Sequence, residues 1–449
     1  PLASLDGSNG VVLFGPDAGQ KSGEAVSAAG DINGDGYGDI ILGGWRGNSG
    51  GDTNNGESYV VFGAANFGAG GSIDLGALSG ADGFNVTGGM SGDHAGRSVS
   101  SAGDINGDGY DDFIIGADGV DFAGTSSEGS SYVIFGASNV GARGTIDLGK
   151  LSSRTGFSLD GYDPQGYSGF SVSSAGDFND DGFDDLLIGA PRTDAGGDYY
   201  AGWKSGESYV VYGSDSIGNG GSIALSALDG SNGFRLTGAD REGQSGFSVS
   251  DAGDVNGDGI ADIVIAAPFS AEGSGVGSGK SYVVFGGAGV GADGTLPLAS
   301  IDGGNGFRID GAYPPDSIYD ERSGHDISSA GDINGDGFDD VIIGVWRSSP
   351  PTPDTPDYVS SQGAAYVVFG SSDVGANGPI DLGTLDGNNG FQLAGIDSRD
   401  FSGWAVSGAG DINGDGFDDL MVGAPHADGN TSSYHAGETY VIYGDDFTG

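Results

Sequence analysis

Asp31-Ile32-Asn33-Gly34-Asp35-Gly36-Tyr37-Gly38-Asp39 places side-chain oxygens at positions 1, 3, 5 and 9 of a nine-residue run, with glycine at position 6. The same pattern returns at residues 104–112, 177–185, 254–262, 332–340 and 411–419. Several oxygens, most of them anionic, on a tightly turned backbone are what a hard cation such as Ca²⁺ requires. A glycine-rich hairpin turn alone would explain one copy of N-G-D-G. Six copies in one register are another matter, because three carboxylates folded around a turn repel one another unless a cation sits among them.

The expected side-chain ligands are Asp31, Asn33, Asp35 and Asp39; Asp104, Asn106, Asp108 and Asp112; and Asp177, Asn179, Asp181 and Asp185. They continue as Asp254, Asn256, Asp258 and Asp262; Asp332, Asn334, Asp336 and Asp340; and Asp411, Asn413, Asp415 and Asp419. At position 7 stand Tyr37, Tyr110, Phe183, Ile260, Phe338 and Phe417, which can ligate only through their carbonyls and whose side chains are expected to pack into the sheet. Position 12 is apolar throughout, from Leu42 to Val422, so these are not EF-hands, which need a bidentate Glu there. Asp180 replaces the position-4 glycine of the third loop, and Asp tolerates the left-handed backbone that the position needs.

Between loops the chain alternates as short strands. In the third repeat, residues 170–176 read as strand A before the loop and 186–190 as an apolar strand B after it. Residues 208–213 read as strand C, and 233–238 as strand D after a connection carrying Ile-Ala-Leu-Ser-Ala-Leu. Four antiparallel strands per long repeat predict an all-β β-propeller. The six units fall near 21–88, 95–161, 168–238, 245–311, 323–395 and 402–449 in a single domain over 1–449. The last lacks a D strand, and residues 9–15 form a spare one, so residues 1–15 are expected to complete it and remove two strand edges.

Composition narrows function. The net charge of −49 disfavours nucleic acid, whose phosphates need a basic partner, and anionic membrane surfaces. With no Cys, neither disulfides nor thiolate chemistry contribute. No apolar run approaches the ~20 residues of a membrane helix, so membrane insertion is not expected. Weak Ca²⁺ loops suit millimolar extracellular calcium. The four His are scattered: His325 starts a strand A and is expected to be packed or to line the central pore, and His426 and His435 share one B–C loop without a third metal ligand.

The run A–D-x-N-x-D-G-x-x-D–I-G-A-P resembles the FG-GAP repeat of integrin α-subunit propellers and their bacterial relatives. Gly189-Ala190-Pro191 and Gly423-Ala424-Pro425 carry it fully, Ala266-Ala267-Pro268 and Gly116-Ala117-Asp118 more loosely, and Gly43-Gly44-Trp45 and Gly344-Val345-Trp346 depart from it. The "FG" dipeptide is Ser-Gly in five repeats and Ala95-Gly96 in the second. The resemblance implies adhesion or ligand binding outside the cell or at its surface, with calcium loops on one face and the ligand on the other. Propellers of that family usually have seven blades, the alternative to the six counted here. On the implied ligand face, built from B–C and D–A loops, lie Lys21, Arg46, Arg97, Arg192, Lys204, Arg241, Arg322, Arg347 and Arg399. Trp45, Trp203, Trp346, Tyr199, Tyr200, Tyr313 and Tyr319 accompany them, the residue types that binding hot spots favour. Self-packing of long loops explains the same aromatics. The expected function is a calcium-binding recognition module for a protein or glycan. The alternatives are a structural subunit of a filament or homo-oligomer joined by strand exchange, and a propeller-based hydrolase or lyase.

Overall fold

The computed structural model describes residues 5–48, 51–122, 126–194, 204–271, 277–312, 321–348, 361–428 and 436–445. After β1 (Val12–Phe14), the first repeat gives β2 (Ala25–Gly30), β3 (Asp39–Gly44), β4 (Glu57–Val61), β5 (Ser72–Asp74) and β6 (Gly83–Thr87). The second gives β7 (Ser98–Gly103), β8 (Asp112–Ala117), β9 (Ser130–Ile134), β10 (Thr145–Asp147) and β11 (Gly156–Asp160). The third gives β12 (Ser171–Gly176), β13 (Asp185–Ala190), β14 (Glu207–Val211), β15 (Ser222–Ala224) and β16 (Gly233–Thr237). The fourth gives β17 (Val249–Gly253), β18 (Asp262–Ala267), β19 (Lys280–Val284), β20 (Thr295–Pro297) and β21 (Gly306–Asp310). The fifth gives β22 (Asp326–Gly331), β23 (Asp340–Val345), β24 (Ala364–Val368), β25 (Ile380–Asp381) and β26 (Gly390–Ala394). The sixth gives β27 (Ala405–Gly410), β28 (Asp419–Ala424) and β29 (Glu438–Ile442).

The fold is all-β, a six-blade β-propeller arrangement of small antiparallel sheets. The chain divides into two compact units. The first comprises Pro1–Ser174, Phe183–Thr193 and Tyr209–Gly233; the second comprises Ala175–Gly182, Asp194–Ser208 and Phe234–Gly449. In the first unit the sheets run β10-β6-β4-β3-β2 and β15-β11-β9-β8-β7. In the second they run β17-β18-β19-β21-β25, β22-β23-β24-β26 and β27-β28-β29.

Two features correct the four-strand expectation. The connection between C and D contains a fifth short strand, which pairs in parallel with strand D of the preceding repeat, as β10 does with β6 and β25 with β21. A single 3-10 turn follows each short strand, beginning at a buried leucine such as Leu75, Leu148 or Leu298. The N-terminal strand covers only Val12–Phe14 and pairs in parallel with β5, Phe14 opposite Asp74. That is the register in which Thr87 faces Asp147, so β1 is a D strand by its pairing. The sixth sheet has strands A, B and C only.

Strand B is apolar throughout because both its faces are covered. In the first unit, Ile41, Val60 and Phe84 of one sheet pack with Val99, Phe113 and Ile115 of the next. In the second, Val264 and Val283 pack with Ile327, Val341 and Ile343. Each such side chain contributes about 1.5–3 kcal/mol on leaving water. The sixth sheet departs from this. Met421 and Val441 occupy the positions where Ile41 and Val60 are fully buried, yet they are 38% and 45% exposed. In the first unit Val26 takes the place of Val99, and it is 64% exposed.

Candidate calcium loops and ligand face

A β-bulge precedes the A–B loop in the first, second, fourth, fifth and sixth repeats, as between Ala28 and Gly30 or Ser329 and Gly331. The extra residue bends strand A and aims the first Asp into the loop. There the carboxylate gathers backbone donors. Asp31 accepts from the N–H groups of Gly34 (2.8 Å), Asp35 (3.0 Å) and Gly36 (2.8 Å). Asp254 repeats this with Gly257, Asp258 and Gly259, and Asp411 with Gly414, Asp415 and Gly416. In the sixth loop those donors hold the Asp411 carboxyl below its ordinary range. Asp180 has φ 62, beside 74 for Gly34, so the third loop accepts Asp at position 4.

The position-9 carboxylate ties loop to sheet. Asp39 accepts from Ile32 N (3.1 Å) and from Gly63 N (2.7 Å) beyond strand C. Asp340 does the same with Ile333 and Gly370, and Asp419 with Ile412 and Gly444. These carboxylates are buried beside others. Burial, reinforced by the charges at positions 5 and 1, pushes Asp39 up to about 6, Asp262 to about 7, and Asp112 and Asp340 to about 8.

Two of the position-3 side chains leave an acceptor open to a cation, whereas Asn256, Asn334 and Asn413 accept from the position-5 N–H. The side-chain oxygens of Asn33 and Asn179 are buried and have no hydrogen-bond partner. A buried acceptor without a donor is unfavourable by about 1–3 kcal/mol, and a cation removes the deficit. The donor set is all oxygen, so it fits a hard ion. Among the described residues no three Asp, Glu or His side chains converge closely enough to form a metal cluster as they stand. The loop carboxylates are turned onto backbone N–H groups instead.

Two loop positions play parts beyond the expected ones. Tyr37 is 46% exposed and so does not pack into its sheet. Tyr110 lies over Gly34 of the preceding loop, where an added Cβ would stand 2.5 Å from its ring, and Phe417 lies over Gly335 in the same way. Position 8 was not anticipated. Asp111 Oδ2 accepts from Asp31 N (2.6 Å), Asp184 from Asp104 N (2.9 Å), Asp339 from Asp254 N (2.7 Å) and Asp418 from Asp332 N (2.9 Å). Each loop is thereby fastened to the one before it. The first Asp of the Asp-Asp pair closing those four loops was the available signal, and Gly38 and Ala261 stand in its place in the other two.

At the other ends of the strands, the D–A turns contain a regular strain. In the first unit Lys21, His94 and Tyr167 have φ of 61, 58 and 57; in the second Gln244, Arg322 and Phe401 have 54, 57 and 56. Each directly precedes the Ser-Gly or Ala-Gly dipeptide. A left-handed backbone is unfavourable by about 1–2 kcal/mol for an L-residue and free for glycine. None of the six is Gly or Asn, and no two are alike. Backbone bonds to the stretch before strand C hold the turn, as from Tyr167 N to Ser127 O and from Gln244 N to Lys204 O.

Three residues further on, the first side chains of strand A meet in files. In the first unit Arg97 lies over Phe170 at 4.5 Å. In the second, Phe247 meets His325 at 5.4 Å and His325 meets Trp404 at 4.8 Å. His325 is therefore packed, as expected. Trp404, 40% exposed, was not anticipated as a ligand-face residue, although alignment after Ser402-Gly403 would have found it. Many of the expected ligand-face aromatics stack within the protein. Trp45 has Arg46 at 4.5 Å and donates its indole N–H to Glu24; Arg347 lies 4.5 Å over Trp346, whose indole nitrogen is buried without a hydrogen-bond partner. Arg192 covers Tyr167 and Arg322 covers Phe269. Trp203, Tyr199, Tyr200, Tyr313, Tyr319 and His435 lie outside the described residues.

The FG-GAP repeat model matches residues 95–134, 168–202, 247–284 and 402–442. Among curated relatives, rat phosphatidylinositol-glycan-specific phospholipase D is 33% identical over 172 residues, 38% of this chain and 18% of that protein. Integrin alpha pat-2 of Caenorhabditis elegans is 31% identical over 266 residues, 59% of this chain and 18% of the relative. Integrin alpha-5 of Xenopus laevis is 29% identical over 214 residues, 45% and 18% respectively. Each match thus spans less than a fifth of the relative's length.

Proposed function

Taking as premise that this is an FG-GAP repeat protein of integrin α-like type, we propose that it is a calcium-loaded extracellular recognition module. The D–A and B–C turns meet a protein or glycan ligand. The observation that carries this reading is the set of large, dissimilar side chains held at left-handed positions where glycine would relieve strain. Strain retained at equivalent places in all six repeats marks a selected display rather than a folding requirement. Trp404 and its stacked file supply the aromatic contact that hot spots favour.

Calcium occupies the six loops, held by the carboxylates at positions 1, 5 and 9 and the Asn at position 3. Its charge offsets the crowded acids, and its part is to fix the sheet ends that carry the turns. Recognition is favoured over catalysis because the match to integrin alpha pat-2 spans 59% of this chain, against 38% for the phospholipase. The test is a binding screen against matrix proteins and glycans with calcium or EGTA, using the native chain and Tyr167→Gly/Phe401→Gly. A ligand lost in the variant, with folding intact, supports the reading; a ligand bound equally by both refutes it.

A second reading rests on the bare faces. Val26 in one unit and Met421 and Val441 in the other are apolar, exposed, and placed where the repeat otherwise buries them. β1, a D strand by its pairing, would then serve the sheet β27-β28-β29 of a second copy. Sedimentation of the chain with and without residues 5–15 decides it. Concentration-dependent oligomers abolished by the deletion support exchange, and a monomer at all concentrations refutes it. Among the described residues no helix is long and apolar enough to cross a membrane.

A further inference from the structure

Strands β19 and β21 of the fourth sheet carry charges that the fold does not need. Lys280 faces Asp310 across the strands, and Tyr282 faces Arg308, so all four share one sheet face. At the same register the fifth sheet holds Ala364 opposite Ala394 and Tyr366 opposite Gln392. The second sheet holds Ser130 opposite Asp160 and Tyr132 opposite Ser158. At this place the first and third sheets hold buried acids, Glu57 and Glu207, and the fifth an alanine, so the fold accepts several residue types there and does not demand a lysine.

The Lys280 side chain is 8% exposed and bonds Asp240 at 2.8 Å. Arg308 Nη2 donates to Asp310 Oδ2 at 2.8 Å, and the two groups form an ion pair with Nε 2.7 Å from Oδ1. The desolvation of such groups is expensive even when they are paired. Lys280, Asp240 and Arg308 border a cavity of about 360 Å³ whose other walls include Tyr282, Ile301, Asp302 and Pro379. Apolar walls with a few convergent polar groups make a small-molecule pocket, and this volume lies at the small end of the ~300–1,000 Å³ range.

We propose that this pocket binds a neutral sugar of one or two rings. Lys280 and Arg308 are already paired with carboxylates, and Asp302 on the lining adds a further acid, so the pocket does not favour an anionic ligand. It offers fixed, charged donors and acceptors side by side. A hydroxyl both donates and accepts, so adjacent hydroxyls of one ring accept from Lys280 and Arg308 and donate to Asp240 and Asp302 without breaking the existing pairs. The ring's C–H face lies against Ile301 and Pro379. The pocket lies between the fourth repeat and the fifth, which contributes Gly375, Gly378 and Pro379; it is separate from the calcium loops and borders one D–A turn through Ala239 and Asp240.

The experiment is saturation-transfer NMR and calorimetry on the full chain with a panel of neutral hexoses, N-acetylhexosamines and their disaccharides. At least one member binds with a millimolar or tighter Kd. Lys280→Ala/Arg308→Gln/Asp310→Ala copies the fifth sheet, so it folds, and it weakens that sugar by about tenfold or more through lost charge-assisted bonds. Arg308→Gln alone, the milder change, weakens it severalfold. Tyr167→Ala, on the turn face, leaves sugar binding unchanged even where it abolishes another ligand. No transfer to any sugar of the panel, or equal binding by native and Arg308→Gln chains, overturns the proposal.

Discussion

Asp326 opens strand β22 and links three neighbouring strands. Its Oδ2 accepts from Val406 N (2.9 Å) and its Oδ1 from the Ser248 hydroxyl (3.3 Å), while Ser248 Oγ accepts from Ile327 N. Burial outweighs these bonds and raises the carboxyl from 3.8 to about 6. An acid raised in the folded state binds protons there that the unfolded chain has already lost. Its stabilising share is therefore complete below about pH 4 and is lost as pH rises through about 6. A shift of that size corresponds to about 3 kcal/mol, and the side chain's residual exposure trims this to about 2 kcal/mol. Asp326→Asn keeps the shape, accepts from Val406 through its carbonyl and donates its amide to Ser248, without the charge. Urea unfolding at pH 4 and pH 7 reads the effect. The variant should match the native chain at pH 4 and exceed it by about 2 kcal/mol at pH 7. A gap of equal size at both pH values, or a less stable variant at pH 7, would show that the charge is not what strains this junction.

Gln244→Gly should be more stable than Gln244→Ala by about 1 kcal/mol in urea, the reverse of the usual order, because only glycine relieves a φ of 54. The usual order at this site would remove the strain on which the display reading rests. Asp111→Ala should lower the unfolding free energy by about 1–2 kcal/mol, since the Asp31 N–H loses its carboxylate partner. An unchanged midpoint would mean that water replaces that inter-loop bond at no cost.

The loops and strands A to D were legible because each rests on local chemistry: a nine-residue oxygen pattern, period-two alternation and turn glycines. Residues 186–190 already read as a covered strand, and β13 contains them. What escaped was whatever depends on the next repeat. The short strands such as β10 are too brief to show periodicity, and their partner is a strand D one repeat back. Tyr110 looks like a core aromatic in sequence, but its surface is taken up by Gly34 of another loop. Asp111 reads as one more acid in an acidic chain until its distance to the Asp31 N–H is known. The strain at Tyr167 or Phe401 was beyond sequence reasoning, because no propensity places a tyrosine or phenylalanine in the left-handed region.

Calcium occupancy tests the account most directly. The chain, stripped with EGTA and dialysed against millimolar Ca²⁺, is assayed for bound metal by elemental analysis and for unfolding by calorimetry. Calcium at ten times its Kd adds about 1.4 kcal/mol for each occupied loop. The account predicts six ions per chain, one for each Asp-x-Asn-x-Asp loop, and a melting transition that falls sharply on chelation. A chain that retains no calcium and melts identically in EGTA would contradict it.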